Sequence, residues 1–538
     1  MLRRDLIRAL ALGPAGLAVA RPAAASADAP ELPRLGPAEP FDFDRLVSRA
    51  RALAREPFRP AEVAAPDRLH ALTFSEHWRI RYREDAAFAP AGEDLPVQLF
   101  HPARFFPEPV AIHVVEGGEA REVLFSSDYF EIPEDSPARG LPEGTGFAGL
   151  RVMRPGQEPD WVSFLGASYF RADGPERQYG LSARGIAVDT GLPTPEEFPR
   201  FTAFWLGPPE VEGTDLTVWA LLDGPSVTGA YRFALAREGA MPGQSVEARA
   251  RLFLRAGVER IGVAPLTSMY WYSERDGMGA DDWRPEIHDS DGLALHTGSG
   301  ERIWRAIRNP DTVRTSSFFD ESPRGFGLIQ RDRVFAHYQD DGVWYDRRPS
   351  AWVEPLGDWG RGAVQLIEIP TEDETFDNLV AYWLPEGART PGEELAFDYR
   401  LHFTDRDPEL PGGLARAVAT RQGQGGTPGD PIPPGVDKMV IDFEGEALAD
   451  LAGPDYSEGA SAEARAGDVA VKVEIAGGEL ASEASVRPVL AAERTWRVMF
   501  DYRLTGRDPA DLRVHLEGRD GRALSETWVT QAGVDRFG

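Results

Sequence analysis

Three observations on this 538-residue sequence predict an all-β fold built from large antiparallel sheets. Turn formers are abundant, with 55 glycines and 45 prolines. Short runs in which apolar and polar residues alternate recur along most of the chain, and segments with a helical period are scarce. Hydrophobic residues make up 42% of the chain, enough for a sizeable core, and the length predicts more than one domain.

The elements follow in order. Residues 1–27 read as an export signal: Arg3-Arg4 precede Asp5-Leu6-Ile7-Arg8 in a twin-arginine pattern, an apolar stretch runs from Ala9 to Ala20, and Ala25-Ser26-Ala27 suits cleavage. That stretch is too short to span a bilayer, and no later segment approaches spanning length, so no membrane insertion is expected. Phe43, Leu46, Val47, Ala50, Leu53 and Ala54 recur at helical spacing, and Pro57 ends the helix. From His77–Tyr82 onward the pattern is that of strands. Ile112–Glu116 and Ala120–Phe125 flank Gly117-Gly118 as a hairpin. Leu216–Leu222, Tyr231–Ala236, Arg251–Ala256, Arg260–Ala264, Ala363–Ile369 and Leu379–Leu384 continue the series. Residues 28–404 are thus expected to form one large antiparallel β-sandwich after a Pro- and Ala-rich lead-in. Residues 405–437, with Gln422-Gly423-Gln424-Gly425-Gly426, have linker composition. Strands return over 438–538, at a length and density that fit a small immunoglobulin-like sandwich.

Composition excludes whole classes of chemistry. The net charge of −29 repels nucleic-acid backbones and anionic membrane surfaces, but not a neutral sugar. With no cysteine there is no disulfide, thiol nucleophile or thiolate metal site. Lys438 and Lys472 are the only lysines, which leaves little room for Schiff-base chemistry. Neither a Walker phosphate loop nor a His-Glu-x-x-His pair occurs, and Gly180-Leu181-Ser182-Ala183-Arg184 lacks the second glycine of a nucleophile elbow. No cofactor or metal site is expected.

Several stretches resemble one family. They include Tyr179–Gly185, Glu197-Phe198-Pro199, Pro265–Tyr270, Arg284–Leu293, Gly300–Arg305, Gly325–Arg331, Tyr345–Trp352, Glu368–Thr371 with Asp373–Asn378, and Gly521–Trp528. In order, from about residue 40 to 531, they are similar to the periplasmic osmoregulated glucan proteins of the OpgG/OpgD (MdoG) family. The twin-arginine signal leans toward the OpgD branch. The resemblance implies a galactose-mutarotase-like N-terminal β-sandwich with a long groove, an immunoglobulin-like β-sandwich after it, and residence in the periplasm. It also implies a role with a β-1,2-linked glucan, and it leaves room for a homodimer and a functional link to a membrane glucan synthase.

Glycoside hydrolysis needs two carboxyl groups in different protonation states. Active members of the family resemble inverting endo-β-1,2-glucanases, which implies Asp377 as general acid, Asp289 as general base and Tyr345 as a proton relay. Asp289 and Asp291 in a His-Asp-Ser-Asp-Gly run also suit a plain turn. Tyr270, Trp271, Trp283 and Trp344 are candidates to stack on sugar rings, with core packing as the alternative use of the same rings. Arg284, Arg302 and Arg348 are candidates to bond hydroxyls, with structural ion pairs as the alternative, and Glu374 is expected to support the site. Two other readings of the family stand beside hydrolysis: a transglycosylase of the same fold, and a glucan-binding or branching scaffold without hydrolysis.

Overall fold

The computed structural model describes residues 32–276, 282–387, 389–455, 457, 461, 467–492, 494–506 and 508–533. The predicted signal at 1–27 lies outside the described residues. The chain is nearly all β with large antiparallel sheets. None of its described helices is long and apolar enough to cross a membrane. It divides into two compact units: Met1–Thr267, Pro355–Asp358 and Tyr382–Thr404 form the first, and Ser268–Glu354, Trp359–Ala381 and Asp405–Gly538 the second.

The first unit shows how alternation becomes a sheet. In Gln244–Leu254 every second side chain, from Gln244 through Val246 and Ala248 to Leu252, is buried. That strand pairs with Val227–Ala236 on one side and Glu394–Thr404 on the other, antiparallel over its whole length. Leu216–Asp223 and Arg200–Gly207 extend the sheet, and Arg200–Gly207 runs parallel to Ala111–Glu116. Glu119–Val123 returns from Glu116 through Gly117 and Gly118, both at positive φ as the two-residue hairpin demands. A second sheet runs through Val97–Phe100, Gly149–Arg154, Glu158–Leu165, Tyr169–Ala172 and Ser182–Arg184. Its Phe164 and Phe170 meet Phe204 and Phe233 of the first sheet at ring separations of 5.1 to 5.5 Å, so an aromatic layer fills the sandwich.

The predicted helix is Phe43–Leu53, capped by Asp42, whose Oδ1 accepts from the Arg45 N–H at 2.8 Å. Leu46 and Ala50 pack it on the sheet beside Trp205, Trp219 and Phe253. Further on, the predicted strand at His77–Tyr82 is mostly a helical turn, Phe74–Trp78, with only Arg81–Tyr82 extended. The reason is local: Thr73 and Glu76 close a capping box, each side chain bonding the other's backbone N–H, which starts a helix whatever the alternation after it.

The second unit carries the strands Ser350–Pro355, Gly325–Ile329, Gly292–His296 and Arg302–Ala306 in one sheet. Thr527–Ala532 joins that sheet parallel to Arg302–Ala306, followed by Ala510–Gly518 and Val469–Ala476. A five-stranded sheet contains Arg416–Gln424, Asp437–Glu444 and Thr495–Leu504. Most of the glycine-rich 416–424 stretch, linker by composition, is therefore a paired strand, because its backbone groups bond to Asp437–Glu444. The guanidinium of Arg331 is buried over the Trp304 ring at 3.5 Å and bonds Glu526 and Asp407, each at 2.6 Å. Arg331 and Glu526 belong to two of the family-like stretches read from the sequence, and their ion pair ties distant parts of this unit together.

Candidate functional site

The second unit brings most of the singled-out residues together, starting from a two-rung hairpin. Tyr270–Tyr272 pairs with Ile287–His288, and the next residue, Asp289, donates its N–H to the Met269 carbonyl at 2.8 Å. Two buried asparagines then fasten a loop to this hairpin. Asn378 Oδ1 accepts from the Tyr270 N–H at 2.8 Å while its Nδ2 donates to the Tyr270 and Ile369 carbonyls at 2.9 and 3.0 Å. Asn309 Oδ1 accepts from the Thr371 N–H at 3.0 Å, and its Nδ2 donates to the Thr371 and Trp271 carbonyls at 2.9 and 3.2 Å. Each amide acts as one more rung of backbone pairing, so both ends of the segment 371–378 are fixed. Inside it, Thr371 Oγ1 donates to the Asp373 carbonyl and Asp373 Oδ1 accepts from the Thr375 N–H, both at 2.8 Å. The loop so held carries Glu374 and Asp377, both half-buried.

Charge organises the rest. Arg348 Nη1 donates to Asp289 Oδ1, in an ion pair whose side chains are 7% and 6% exposed. The same guanidinium lies over the Tyr345 ring at 4.0 Å and bonds the Val343 carbonyl through Nε at 3.3 Å. Tyr345 donates its hydroxyl to Glu374 Oε2, and Arg284 Nη1 donates to that oxygen at 2.7 Å. Arg284 also holds Asp340 at 2.8 Å and Asp282 at 2.9 Å. Asp289, Arg348, Tyr345, Glu374 and Arg284 therefore form one continuous chain of polar contacts.

Burial alone would weaken the charge of Arg284, but its bonds to Asp282, Glu374 and Asp340 outweigh it and hold the guanidinium above its ordinary pKa. Burial opposes the charge of Asp340 too, and the Arg284 bond with the Gly342 and Val343 N–H groups brings its carboxyl below the usual range. For Tyr345, burial drives the phenol well above its ordinary value, so it stands as a proton donor at neutral pH. Asp289 uses Oδ1 for Arg348, and no hydrogen bond to Oδ2 forms among the described residues.

The aromatic candidates divide. Trp283 is 69% exposed, with the Arg284 guanidinium 5.9 Å from its ring. Trp271 and Trp344 are half-buried. Trp344 sits at φ +50°, a left-handed conformation rare for a bulky residue, with Arg347 stacked on it at 3.9 Å and Phe335 at 5.9 Å. Tyr270, read as a sugar-stacking candidate, is buried: its ring stacks on His288 and its hydroxyl bonds Ser273 and Asp276. Its ring is thus spent on packing against His288, and its hydroxyl on Ser273 and Asp276. Arg302 stands outside the polar chain, bonding the Gly300 and Glu301 carbonyls of its own turn.

Sequence reasoning missed Asn309, Asp282 and Asp340, which carry no motif signal, and passed over Asn378 and Gln330, which lie in two of the family-like stretches. Glu286, Asp332 and His337 also converge, each placing one oxygen or nitrogen within 4.8 Å of the others. They are accounted for as two neighbouring carboxylate–imidazole pairs, Asp332 with His337 at 2.6 Å and Glu286 with His288 at 3.1 Å. A separate cleft in the first unit, lined by Phe41, Arg49, His113, Glu122 and Trp205 among others, contains none of the catalytic or sugar-binding candidates read from the sequence.

Residues 41–532 match the family model described as "Periplasmic glucan biosynthesis protein, MdoG". The chain is 47% identical over 510 residues to glucans biosynthesis protein D 2 of Ralstonia nicotianae, covering 93% of this chain and 92% of that one. It is 43% identical over 540 residues to glucans biosynthesis protein D of Stenotrophomonas maltophilia, covering 99% and 97%.

Proposed function

The chain belongs to the MdoG family of periplasmic glucan biosynthesis proteins, and from that premise we propose that it is an exported inverting endo-β-1,2-glucanase acting on a glucan backbone in the periplasm. The observation that carries the reading is the asparagine-clamped loop 371–378. The loop carries Asp377 and Glu374, its Glu374 bonds Tyr345 and Arg284, and its two ends are bonded to Tyr270 and, through Asn309, to Trp271 of the hairpin that precedes Asp289.

In the proposed reaction Asp377 gives its proton to the leaving glycosidic oxygen. Asp289, through the oxygen that Arg348 does not hold, takes a proton from the attacking water on the opposite side of the sugar ring. Tyr345, stacked against Arg348, is the relay residue of this reading: its hydroxyl oxygen can take a proton from the water as its own proton passes to Glu374 Oε2, which it already bonds. Trp283, exposed beside Arg284, offers an apolar face for a pyranose ring. Trp271 and Trp344, both half-buried, are the other rings this reading offers to the sugar. The twin-arginine signal at 1–27 supplies the route to the periplasm.

A second reading has its own observation. Asp289, Glu374, Asp340 and Asp282 are all held by arginine, an arrangement suited to binding glucan without cleaving it. Incubation of the mature chain with linear β-1,2-glucan separates the two. Shorter oligosaccharides with inverted anomeric configuration are expected from hydrolysis, and D377N should lose at least a hundredfold in kcat while keeping affinity. Cyclic or newly linked products would move the reading to transglycosylation. Intact glucan with binding retained would refute catalysis in favour of the scaffold.

A further inference from the structure

We infer that His288 is a doubly protonated imidazolium that acts as a positioning residue, locking the strand that bears Asp289 to the turn that bears Tyr345. The inference rests on the proposed role of Asp289.

The protonation state follows from geometry. Gln330 Nε2 lies 2.9 Å from the His288 carbonyl, 3.4 Å from the Tyr345 carbonyl and 2.8 Å from the Tyr338 hydroxyl. Two carbonyls can only accept, so this end of the amide is the nitrogen, and Oε1 is the atom facing His288 Nδ1 at 2.8 Å. Nδ1 must therefore carry a proton. On the other side of the ring Nε2 faces the Glu286 carboxylate at 3.1 Å, a second acceptor. Both ring nitrogens donate, and an imidazole that donates twice is charged.

The surroundings sustain that charge in a fully buried side chain. Tyr270 stacks on the ring at 5.5 Å and Tyr338 meets it edge-on at 5.2 Å. Glu286 on its own segment, Asp291 just beyond it, Asp332 with its partner His337 from the segment carrying Tyr338, and Glu274 after the first hairpin strand are the titratable groups facing it. Burial disfavours the imidazolium, but the Glu286 bond and charge, with Asp291 and Asp332, outweigh it and lift the pKa to about 9. Because the value is raised, the proton is held through neutrality and lost as pH climbs through that range.

Loss of either proton breaks the lock. A bare Nε2 would face a carboxylate, and a bare Nδ1 would face Oε1 of Gln330. Relieving the second clash by turning the amide would set its oxygen against the His288 and Tyr345 carbonyls. Gln330 is the piece that ties the two segments together, so its donors hold Asp289 and Tyr345 in mutual register.

The test uses the full chain labelled with 15N-histidine. Ring-nitrogen shifts are followed from pH 6 to 10 and assigned by comparison with H288Q, alongside kcat and KM on linear β-1,2-glucan at each pH. One imidazolium should titrate near pH 9, and kcat should fall with the same midpoint while KM changes less than twofold. H288Q should lose at least tenfold in kcat and its alkaline limb together. E286Q, which keeps an acceptor but removes the charge, should fold normally and move both the nuclear and the kinetic midpoints down by at least one pH unit. A His288 midpoint below 7, or a kcat that stays flat through that midpoint while D289N is inactive, overturns the inference. D289N turning over like wild type removes the role given to Asp289 and the positioning claim with it, whatever His288 does in the spectrum. A wild-type chain that leaves the glucan intact refutes the proposed function itself, and this inference falls with it.

Discussion

Replacing Arg348 by methionine isolates the charge pair on which the candidate base depends. Both partners are more than nine-tenths buried, and Asp289 has no second cation bonded to it among the described residues. Removing one member of such a pair leaves a carboxylate without counter-charge in a low-dielectric site, which costs about 3–5 kcal/mol of folding stability. D289N, which strands the guanidinium instead, should cost a similar amount. The double variant buries neither charge and should be destabilised by about 3 kcal/mol less than the sum of the singles. Urea denaturation of the four chains at pH 7 measures the coupling. A coupling below about 1 kcal/mol would refute the claim that this pair is buried and mutually dependent.

The loop clamp and the exposed ring make two further predictions. N378A removes the partner of the Tyr270 N–H and of the Tyr270 and Ile369 carbonyls. It should cost about 2–4 kcal/mol in thermal or chemical denaturation and lower kcat more than glucan affinity, because the loop bearing Glu374 and Asp377 loses its anchor. W283A touches a side chain that is 69% exposed. Its folding stability should stay within about 0.5 kcal/mol of wild type, while calorimetry should show at least fivefold weaker glucan binding.

Sheets were legible where one strand's pattern sufficed. The apolar runs at Leu216–Leu222 and Tyr231–Ala236, and the Gly117-Gly118 hairpin, give the observed strands within a few residues. Illegible features depended on a partner. The capping box at Thr73 and Glu76 competes with the alternation at His77–Tyr82 and wins by satisfying two helix-end donors at once. Residues 416–424 form a strand because Asp437–Glu444 pairs with them, which glycine content does not reveal. At the site the residue types were readable but their roles were not. Nothing in the neighbourhood of Tyr270 marks it as the support for His288 rather than a surface for sugar, since the ring it stacks on belongs to the paired strand and the amide that fixes its backbone comes from Asn378, 108 positions away. Arg302 and Arg348 look alike in sequence, yet only Arg348 finds a carboxylate, 59 positions distant.

Those long-range pairings give physical content to the lysine-poor composition. Apart from Lys438 and Lys472, every Lys-or-Arg charge in this chain is a guanidinium. The buried pairs show why that matters at least here: Arg284 serves Asp282, Asp340 and Glu374 together, Arg331 serves Asp407 and Glu526, and Arg305 reaches Glu368 with both side chains almost wholly buried. An ammonium is a compact point charge on a flexible stem and is more strongly hydrated, so it is costlier to bury and cannot fork between fixed carboxylates. A planar group with five donors can join two or three acids from separate loops and still lie flat on Trp304 or Tyr345. With acids in large excess over bases and no disulfide to tie the loops, each buried guanidinium has to neutralise more than one carboxylate wherever they cluster. The loops 282–289, 340–348 and 371–378 are joined by Arg284, which bonds Asp340 and Glu374, and by Arg348, which bonds Asp289, so the groups that hold the candidate site in shape are the same groups that set its charge.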